Sequence, residues 1–422
     1  MNQLITEANK CLLCKNPRCK KNCPVGTPIP EIIQLFKENQ IEKAGEILFN
    51  NNPLSAICAV VCAHENQCSG NCVKGIKGDP VEFYEIEKYI STNYLRNVSF
   101  KKPSTMLEDR IAIVGSGPAG ITIAFILAFK GYKVTIFESK DKIGGVLRYG
   151  IPEFRLPKDI LDTLYLRLLE LGVKVRFNTL IGPVITIDKL FSDGYQAIFL
   201  GTGVWNAKTL NIKGETLGNV HFAIDYLKKP DPYLLGNKVC IIGAGNVAMD
   251  AARTAKAHGV QDVCIMYRKG FEDMSATKAE IKETLEDGVR FELFKSPLEL
   301  FENGVKFIET NRIVDENGKV RTVPKEGTKG FFACDSIIIA VGQTPRNNIV
   351  ANNKGFETDP KGLLVVDDIG HTSVDGVFAS GDVVTGSRTV VEAVNFAKIA
   401  AESIDHYCKS RRSTKQENKT VS

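Results

Sequence analysis

Short unbroken apolar runs alternate along this chain with longer stretches in which apolar residues return every three or four positions. The runs IAIV from Ile111, VTIF from Val134, KVCII from Lys238, DVCIMY from Asp262, SIII from Ser336 and VFA from Val377 are bounded by glycine or charge, the pattern of strands buried on both faces. The stretches after Gly120 to near Gly131, after Gly245 to about His258, and TVVEAVNFAKIAAESI from about Thr389 carry helical spacing. LITEANKC and IPEIIQLFKENQIEKAGEILFNNNP read as helices before the first strand, the second with Pro30 near its start. The order is therefore a helical N-terminal segment followed by an α/β region in which strands and helices alternate.

At 422 residues the chain is too long for one core. The divisions expected are a helical domain over 1–100, a first nucleotide domain over 101–225, a second over 226–340, a return to the first over 341–408, and a polar tail, 409–422, expected to be disordered. NVSFKKPSTMLED, 97–109, reads as a linker. With 43% hydrophobic and 24% charged residues the composition is that of a globular protein, and the longest apolar stretch, Ile121 to Phe129, is too short to span a bilayer. A formal charge of +5 with scattered cations gives no support for nucleic-acid binding.

Eight of the twelve cysteines fall within the first 72 residues. Cys11, Cys14, Cys19 and Cys23 form C-x2-C-x4-C-x3-C followed by Pro24, close to the run in which the last cysteine serves a second iron–sulfur cluster. Cys58, Cys62, Cys68 and Cys72 follow. Two 4Fe-4S clusters are the expectation, with a four-cysteine zinc site as the competitor. The opening MNQLITEANKC offers no apolar signal core, so disulfides are disfavoured and a cytoplasmic location is expected. Cys240, Cys264, Cys334 and Cys408 stand alone and are expected to pack in cores.

The strand after Arg110 leads into Gly115-Ser116-Gly117-Pro118-Ala119-Gly120 and a helix, and the next strand ends in Glu138. That is a dinucleotide turn in its required context: glycines for the tight turn and for close backbone approach to a pyrophosphate, a helix N-terminus facing the phosphates, and an acid for the ribose. The pattern repeats at Gly243-Ala244-Gly245-Asn246-Val247. In the repeat the position of Glu138 is taken by Met266, with Arg268 and Lys269 just beyond. A 2′-phosphate is repelled by a carboxylate and attracted by a guanidinium, so the second site should prefer NADP over NAD. Two nested sites of this kind are the layout of flavoprotein reductases, FAD in the first and NADP(H) in the second. A close cysteine pair of the disulfide-reductase type is absent from 140–157, and Cys240 and Cys264 lie 24 residues apart on separate predicted strands.

Together CLLCKNPRCKKNCPVGTPIPE, NPLSAICAVVC, IVGSGPAGITIA, IGGVLRYGIPEFRLPK, IIGAGNVAMDAAR, YRKGFEDMSA, IAVGQTP and GDVVTGSRTVVEAV resemble the small, electron-input subunit of NADPH glutamate synthase and its relatives over nearly the whole chain. Those relatives include the N-terminal half of dihydropyrimidine dehydrogenase and the larger subunit of NADH-dependent ferredoxin:NADP oxidoreductase. The resemblance implies a helical iron–sulfur domain followed by two nested Rossmann-like domains. It implies one cluster on Cys11, Cys14, Cys19 and Cys72, and a second on Cys23, Cys62 and Cys68 completed by Glu87, with Cys58 as the alternative. FAD is expected on Gly115, Gly117, Pro118, Ala119, Gly120, Glu138, Ser139, Gly145, Leu147, Arg155, Thr202, Gly203, Gly381, Asp382, Thr389 and Val390. NADPH is expected on Gly243, Gly245, Asn246, Val247, Arg268, Lys269 and Gly342. Hydride transfer between the cofactors needs no catalytic side chain, and the partner implied is an FMN-containing large subunit or a ferredoxin. One departure is that Ala63, followed by His64, stands where relatives commonly have proline.

Overall fold

A computed structural model of the chain describes residues 1–314, 316 and 320–420, without the side chains of Val320 and of 414–420. In it the apolar runs become two parallel five-stranded sheets. The first has the order Val377–Ala379, Tyr195–Leu200, Arg110–Val114, Lys133–Phe137, Lys174–Arg176, with Ile113 opposite both Ile136 and Phe199. Arg110–Val114 is central, and residues 111–114 are buried, which is why that run is unbroken rather than alternating. Helix Pro118–Phe129 is apolar on nearly every face because it lies between this sheet and helix Val390–Thr420.

The second sheet has the order Val220–Phe222, Ser336–Ile339, Lys238–Ile242, Asp262–Tyr267, Arg290–Leu293. Successive residues feed opposite cores: Ile241, Ile265 and Ile338 on one side, Cys240, Ile242, Cys264, Met266, Ile337 and Ile339 on the other. Beside it lies an antiparallel three-stranded sheet, Lys295–Phe301, Gly304–Val314 and Val320–Ala333. The four lone cysteines are all buried. Cys240 and Cys264, distant in sequence, are register partners on adjacent strands, and Cys334 packs in the same core.

The chain divides into two compact units, one of 1–148, 153–204 and 345–422, the other of 149–152 and 205–344. This moves two expected boundaries. The second nucleotide domain begins at Trp205 rather than 226, because Val220–Phe222 pairs with Ile337–Ile339. Likewise its end moves from 340 to 344, and Ser336–Ile339 within it is a strand of the second sheet, paired with Val239–Ile242. The chain leaves that unit through Gln343–Thr344, antiparallel to Asn206–Ala207.

The helical N-terminal segment belongs to the first unit. Its expected long second helix is two helices, Ile29–Lys37 and Ile41–Asn51, broken where Asn39 turns left-handed at φ +57°. Glu7 accepts a hydrogen bond from the amide of Glu82 at 2.8 Å, serving the N-terminus of helix Phe83–Asn97 from 75 residues away. The segment read as a linker is tied down: Phe100 packs on Phe49 and Phe129 with ring centroids 4.9 and 5.1 Å away, and its amide donates to Glu170. The tail expected to be disordered continues the last helix through Thr420, since its Lys, Arg, Gln and Glu residues are good helix formers. Lys409 pairs with Asp405 and Arg412 with Asp109, both at 2.9 Å, while Val421 and Ser422 lie outside the described residues.

Candidate redox cofactor site

The eight N-terminal cysteines surround two adjoining cavities. The first is walled by Cys11, Cys14, Cys19 and Cys72 together with Ile29, Ile33, Val81 and Phe83, and has an open volume of about 460 Å³. The Cys19 thiol is pushed up to about 11, by burial first and then by Cys72, Cys11 and Cys14 beside it. The second, of about 340 Å³, is walled by Cys23, Cys58, Cys62, Cys68 and Glu87, with Asn52, Thr27 and His64 around them. Burial and then Glu87 raise Cys68 to about 12, and burial and Cys58 hold the Glu87 carboxyl well above the usual range. Cys68 touches both cavities. Cys11, Cys14, Cys19 and Cys72 thus lie at the first cavity and Cys23 and Cys62 at the second, where Cys58 and Glu87 both stand.

These surroundings fit iron–sulfur clusters better than single ions. The thiols line the walls of voids, as they must around a cubane. Crowding raises the cost of ionising them, a cost that bound iron reverses by preferring thiolate. His64 stacks on Tyr84 at 4.4 Å, and its Nε2 is buried with no hydrogen-bond partner among the described residues. Burial lowers this imidazole to about 4, so it stays neutral.

In the same unit the first dinucleotide turn is folded tightly. Gly115 has φ +96°, and a Cβ there would lie 2.6 Å from the Gly201 carbonyl oxygen. A Cβ on Gly120 would lie 2.0 Å from the Gly115 carbonyl oxygen, so helix and turn meet only without side chains. Gly117 caps the helix that begins at Pro118, leaving amides free to meet phosphate. Glu138 is buried and held by the amide and hydroxyl of Ser116 at 2.9 and 2.5 Å and by the amide of Lys140. Ser139 donates to its other oxygen. Gly145 abuts Gly117, Leu147 is fully buried just beyond it, and Arg155 is half-buried in the following segment.

Thr202 comes against Gly115, Gly203 follows at φ +67°, and Gly381 lies against Ala119. Burial raises Asp382 to about 6 although the Arg388 amide donates to it. Helix Val390–Thr420 opens with a reciprocal cap: Thr389 Oγ1 accepts from the Glu392 amide at 3.3 Å, and Glu392 accepts from the Thr389 amide at 3.0 Å. Val391, one residue past Val390, lines the second cysteine cavity. Lys398, farther along, donates to the Asn51 carbonyl at 2.8 Å.

In the other unit, Gly243 has φ +137° with Ala340 against it, and Gly245 caps helix Asn246–Ala257. Asn246 Oδ1 accepts from the Thr277 amide at 3.0 Å, fixing the loop that carries Thr277, and Val247 is the second residue of the helix. Gly342, at φ +108°, accepts from the Lys208 amide. Arg268 is exposed and Lys269 half-buried, and among the described residues neither side chain has a hydrogen-bonding or ionic partner. Sequence reasoning missed Thr27, whose hydroxyl is 3.3 Å from Cys23 Sγ, and Asn52, against Cys58. It also missed Ser116 and Glu392; only Glu392 had a signal, the T-x-x-E spacing.

Residues 109–397 match the pyridine nucleotide-disulphide oxidoreductase family, and residues 1–98 match dihydropyrimidine dehydrogenase domain II, 4Fe-4S cluster. The chain is 30% identical to the glutamate synthase [NADPH] small chain of Escherichia coli, covering 95% of this chain and 91% of that one. It is 31% identical to the NAD-dependent dihydropyrimidine dehydrogenase subunit PreT of the same organism, covering 96% and 94%. With the NADP(+)-dependent formate dehydrogenase subunit beta of Moorella thermoacetica it shares 33% identity over 92% of its length, and it spans 59% of that relative. FprA from Mycobacterium tuberculosis has the same fold over 72% of this chain and 86% of its own, at a TM-score of 0.63 and 17% identity. No helix among the described residues is long and apolar enough to cross a membrane. The chain belongs to the FAD and iron–sulfur oxidoreductase family that includes the NADPH glutamate synthase small chains and the PreT dihydropyrimidine dehydrogenase subunits.

Proposed function

We propose that the protein oxidises NADPH at FAD and delivers the electrons through two 4Fe-4S clusters to a separate acceptor protein. The observation that carries this reading is Val391. It sits at the start of the helix capped by Thr389 and Glu392, beside the Gly381–Asp382 turn, and it also walls the cavity of Cys23, Cys62 and Cys68. Flavin-side and cluster-side elements thus share one wall within one unit, which supports the reading that the Cys23 set takes electrons from the flavin first.

Bound FAD would supply the conversion between a hydride donor and one-electron carriers, and the clusters would carry the single electrons onward. The chain's own residues position these groups. Gly115, Gly117 and Gly120 admit the pyrophosphate, Glu138 takes the ribose with its orientation fixed by Ser116, and the capped end of the last helix offers a positive pole to the flavin. Gly243 and Gly245 do the same for the nicotinamide nucleotide, and Arg268 and Lys269 read its 2′-phosphate. Cys11, Cys14, Cys19 and Cys72 hold one cluster. Cys23, Cys62 and Cys68 hold the other, with Glu87 as fourth ligand: among the described residues its buried carboxylate has no cationic partner to compensate its charge. Reducing cytoplasm suits such thiols.

The relatives named for glutamate synthase, dihydropyrimidine dehydrogenase and formate dehydrogenase share this input and differ in what receives the electrons. The glutamate synthase assignment, with an FMN-containing large subunit as acceptor, rests on resemblance over nine tenths of that small chain. The test is anaerobic addition of NADPH followed by electron paramagnetic resonance. Reduced-cluster signals should appear in the native protein, and Cys62→Ser should lose the second cluster's signal while its flavin still bleaches. A flavin that bleaches while intact clusters remain oxidised would refute the path.

A further inference from the structure

Between Ala8 and Pro30, and again between Asn66 and Gly78, the sequence contains no Asp or Glu, yet these two loops carry seven Lys or Arg residues. Scattered along the chain, these cations are unremarked; the fold gathers them, because both loops wall the cavity of Cys11, Cys14, Cys19 and Cys72. Lys10 is neutralised by Glu7 at 2.6 Å, and Asp79 and Glu82 lie on that side. Lys15, Arg18, Lys20, Lys21, Lys74 and Lys77 are exposed, and among the described residues none of them forms an ion pair. Within this rim the surface is apolar where a soluble face would be polar. Leu12 and Ile76 are 60% and 63% exposed, and Leu13 is held outward by a left-handed backbone, φ +47°, that leucine seldom adopts.

An apolar centre over a redox cavity, ringed by charge of one sign, has the anatomy of a transient interface whose partner is steered by charge. We infer that this face docks an acidic one-electron carrier protein, which receives electrons from the cluster beneath it. The inference rests on the electron-output reading above and adds the partner's chemistry and the place where it binds. One-signed charge gives fast, salt-sensitive encounter without the large buried area of a permanent subunit interface.

The test uses the anaerobically purified full-length protein with an acidic ferredoxin as the acceptor. The triple variant K15E/K21E/K77E reverses the rim while leaving the cavity-lining Arg18 and Lys74 in place. In the native protein, kcat/KM for the ferredoxin should fall by about tenfold or more between low salt and about 0.5 M NaCl. The variant should show a similar loss already at low salt, with its iron content and its NADPH-driven ferricyanide reduction unchanged. A ferredoxin rate indifferent to salt and to charge reversal, or no ferredoxin turnover by a protein whose clusters NADPH does reduce, would overturn the docking face. Clusters that NADPH leaves oxidised before any acceptor is added would overturn the electron-output reading on which it stands.

Discussion

Replacing Arg268 by alanine isolates the feature that sets the second nucleotide site apart from the first. Arg268 follows the strand Asp262–Tyr267, two residues past Met266, which stands in the place of the first site's Glu138, and its guanidinium is exposed and unpaired among the described residues. The nearby carboxylates of Glu272 and Asp273 are engaged by Arg312 at 3.5 and 3.1 Å, so they do not neutralise it. A hydrogen bond to a charged partner contributes about 1.5–3 kcal/mol, and solvent exposure puts Arg268 at the lower end. A loss of about 1.5–2 kcal/mol corresponds to roughly 10–30-fold. The assay is steady-state reduction of ferricyanide with NADPH and NADH. For NADPH, kcat/KM should fall by that factor, through a higher KM at nearly constant kcat, because the 2′-phosphate is held equally in ground and transition states. With NADH the change should be negligible, and R268A/K269A should extend the loss for NADPH alone. Equal losses for both nucleotides, or none, would refute the placement of the 2′-phosphate.

Gly120→Ala puts a Cβ 2.0 Å from the Gly115 carbonyl oxygen, a backbone atom that cannot rotate away; overpacking of roughly 1–3 kcal/mol should lower the melting temperature and cost FAD retention on gel filtration. Asp382 has its carboxyl raised to about 6 by burial, so between about pH 4 and 6 the folded state binds the proton that the unfolded state has lost. Stability should therefore fall as pH rises through that window, and Asp382→Asn, compared by thermal unfolding of the apoprotein, should be flatter there and more stable at pH 8 by about 2–3 kcal/mol. Iron analysis separates the two candidates at the second cavity: Glu87→Ala should lose iron and alter the second cluster's resonance, while Cys58→Ala should keep about eight irons per chain.

Much of the site was legible because its chemistry demands particular residues at short range. No side chain fits between Gly120 and Gly115, so glycine at both positions announced the turn. The cysteines announced iron–sulfur chemistry, and the two cavities they line follow from where the loops place them. What escaped was decided by partners far away in sequence. Ser336–Ile339 reads only as a buried strand, and an apolar run does not say which sheet will bury it; pairing with Val239–Ile242 does. Val220–Phe222 is three residues long and marked only by that pairing. Asn39 broke an apparently continuous helix because asparagine tolerates the left-handed region and lets Leu35 and Phe36 reach the core while the next helix turns back. The tail looked unstructured because it has no apolar face, yet ion pairs to Asp405, Asp375 and Asp109 hold the described part of it. The cationic face around Leu12 and Ile76 was hidden for the same reason: two loops about 60 residues apart in sequence wall one cavity.

The central claim is that electrons enter from NADPH and leave through iron–sulfur clusters. It is tested most directly by anaerobic purification, measurement of flavin, iron and sulfide, and parallel optical and paramagnetic titrations with NADPH and NADH. One FAD and about eight irons per chain are expected, with flavin and clusters both reduced by NADPH at far lower concentrations than by NADH. Zinc in place of iron, or a bound flavin that neither nucleotide reduces, would contradict it.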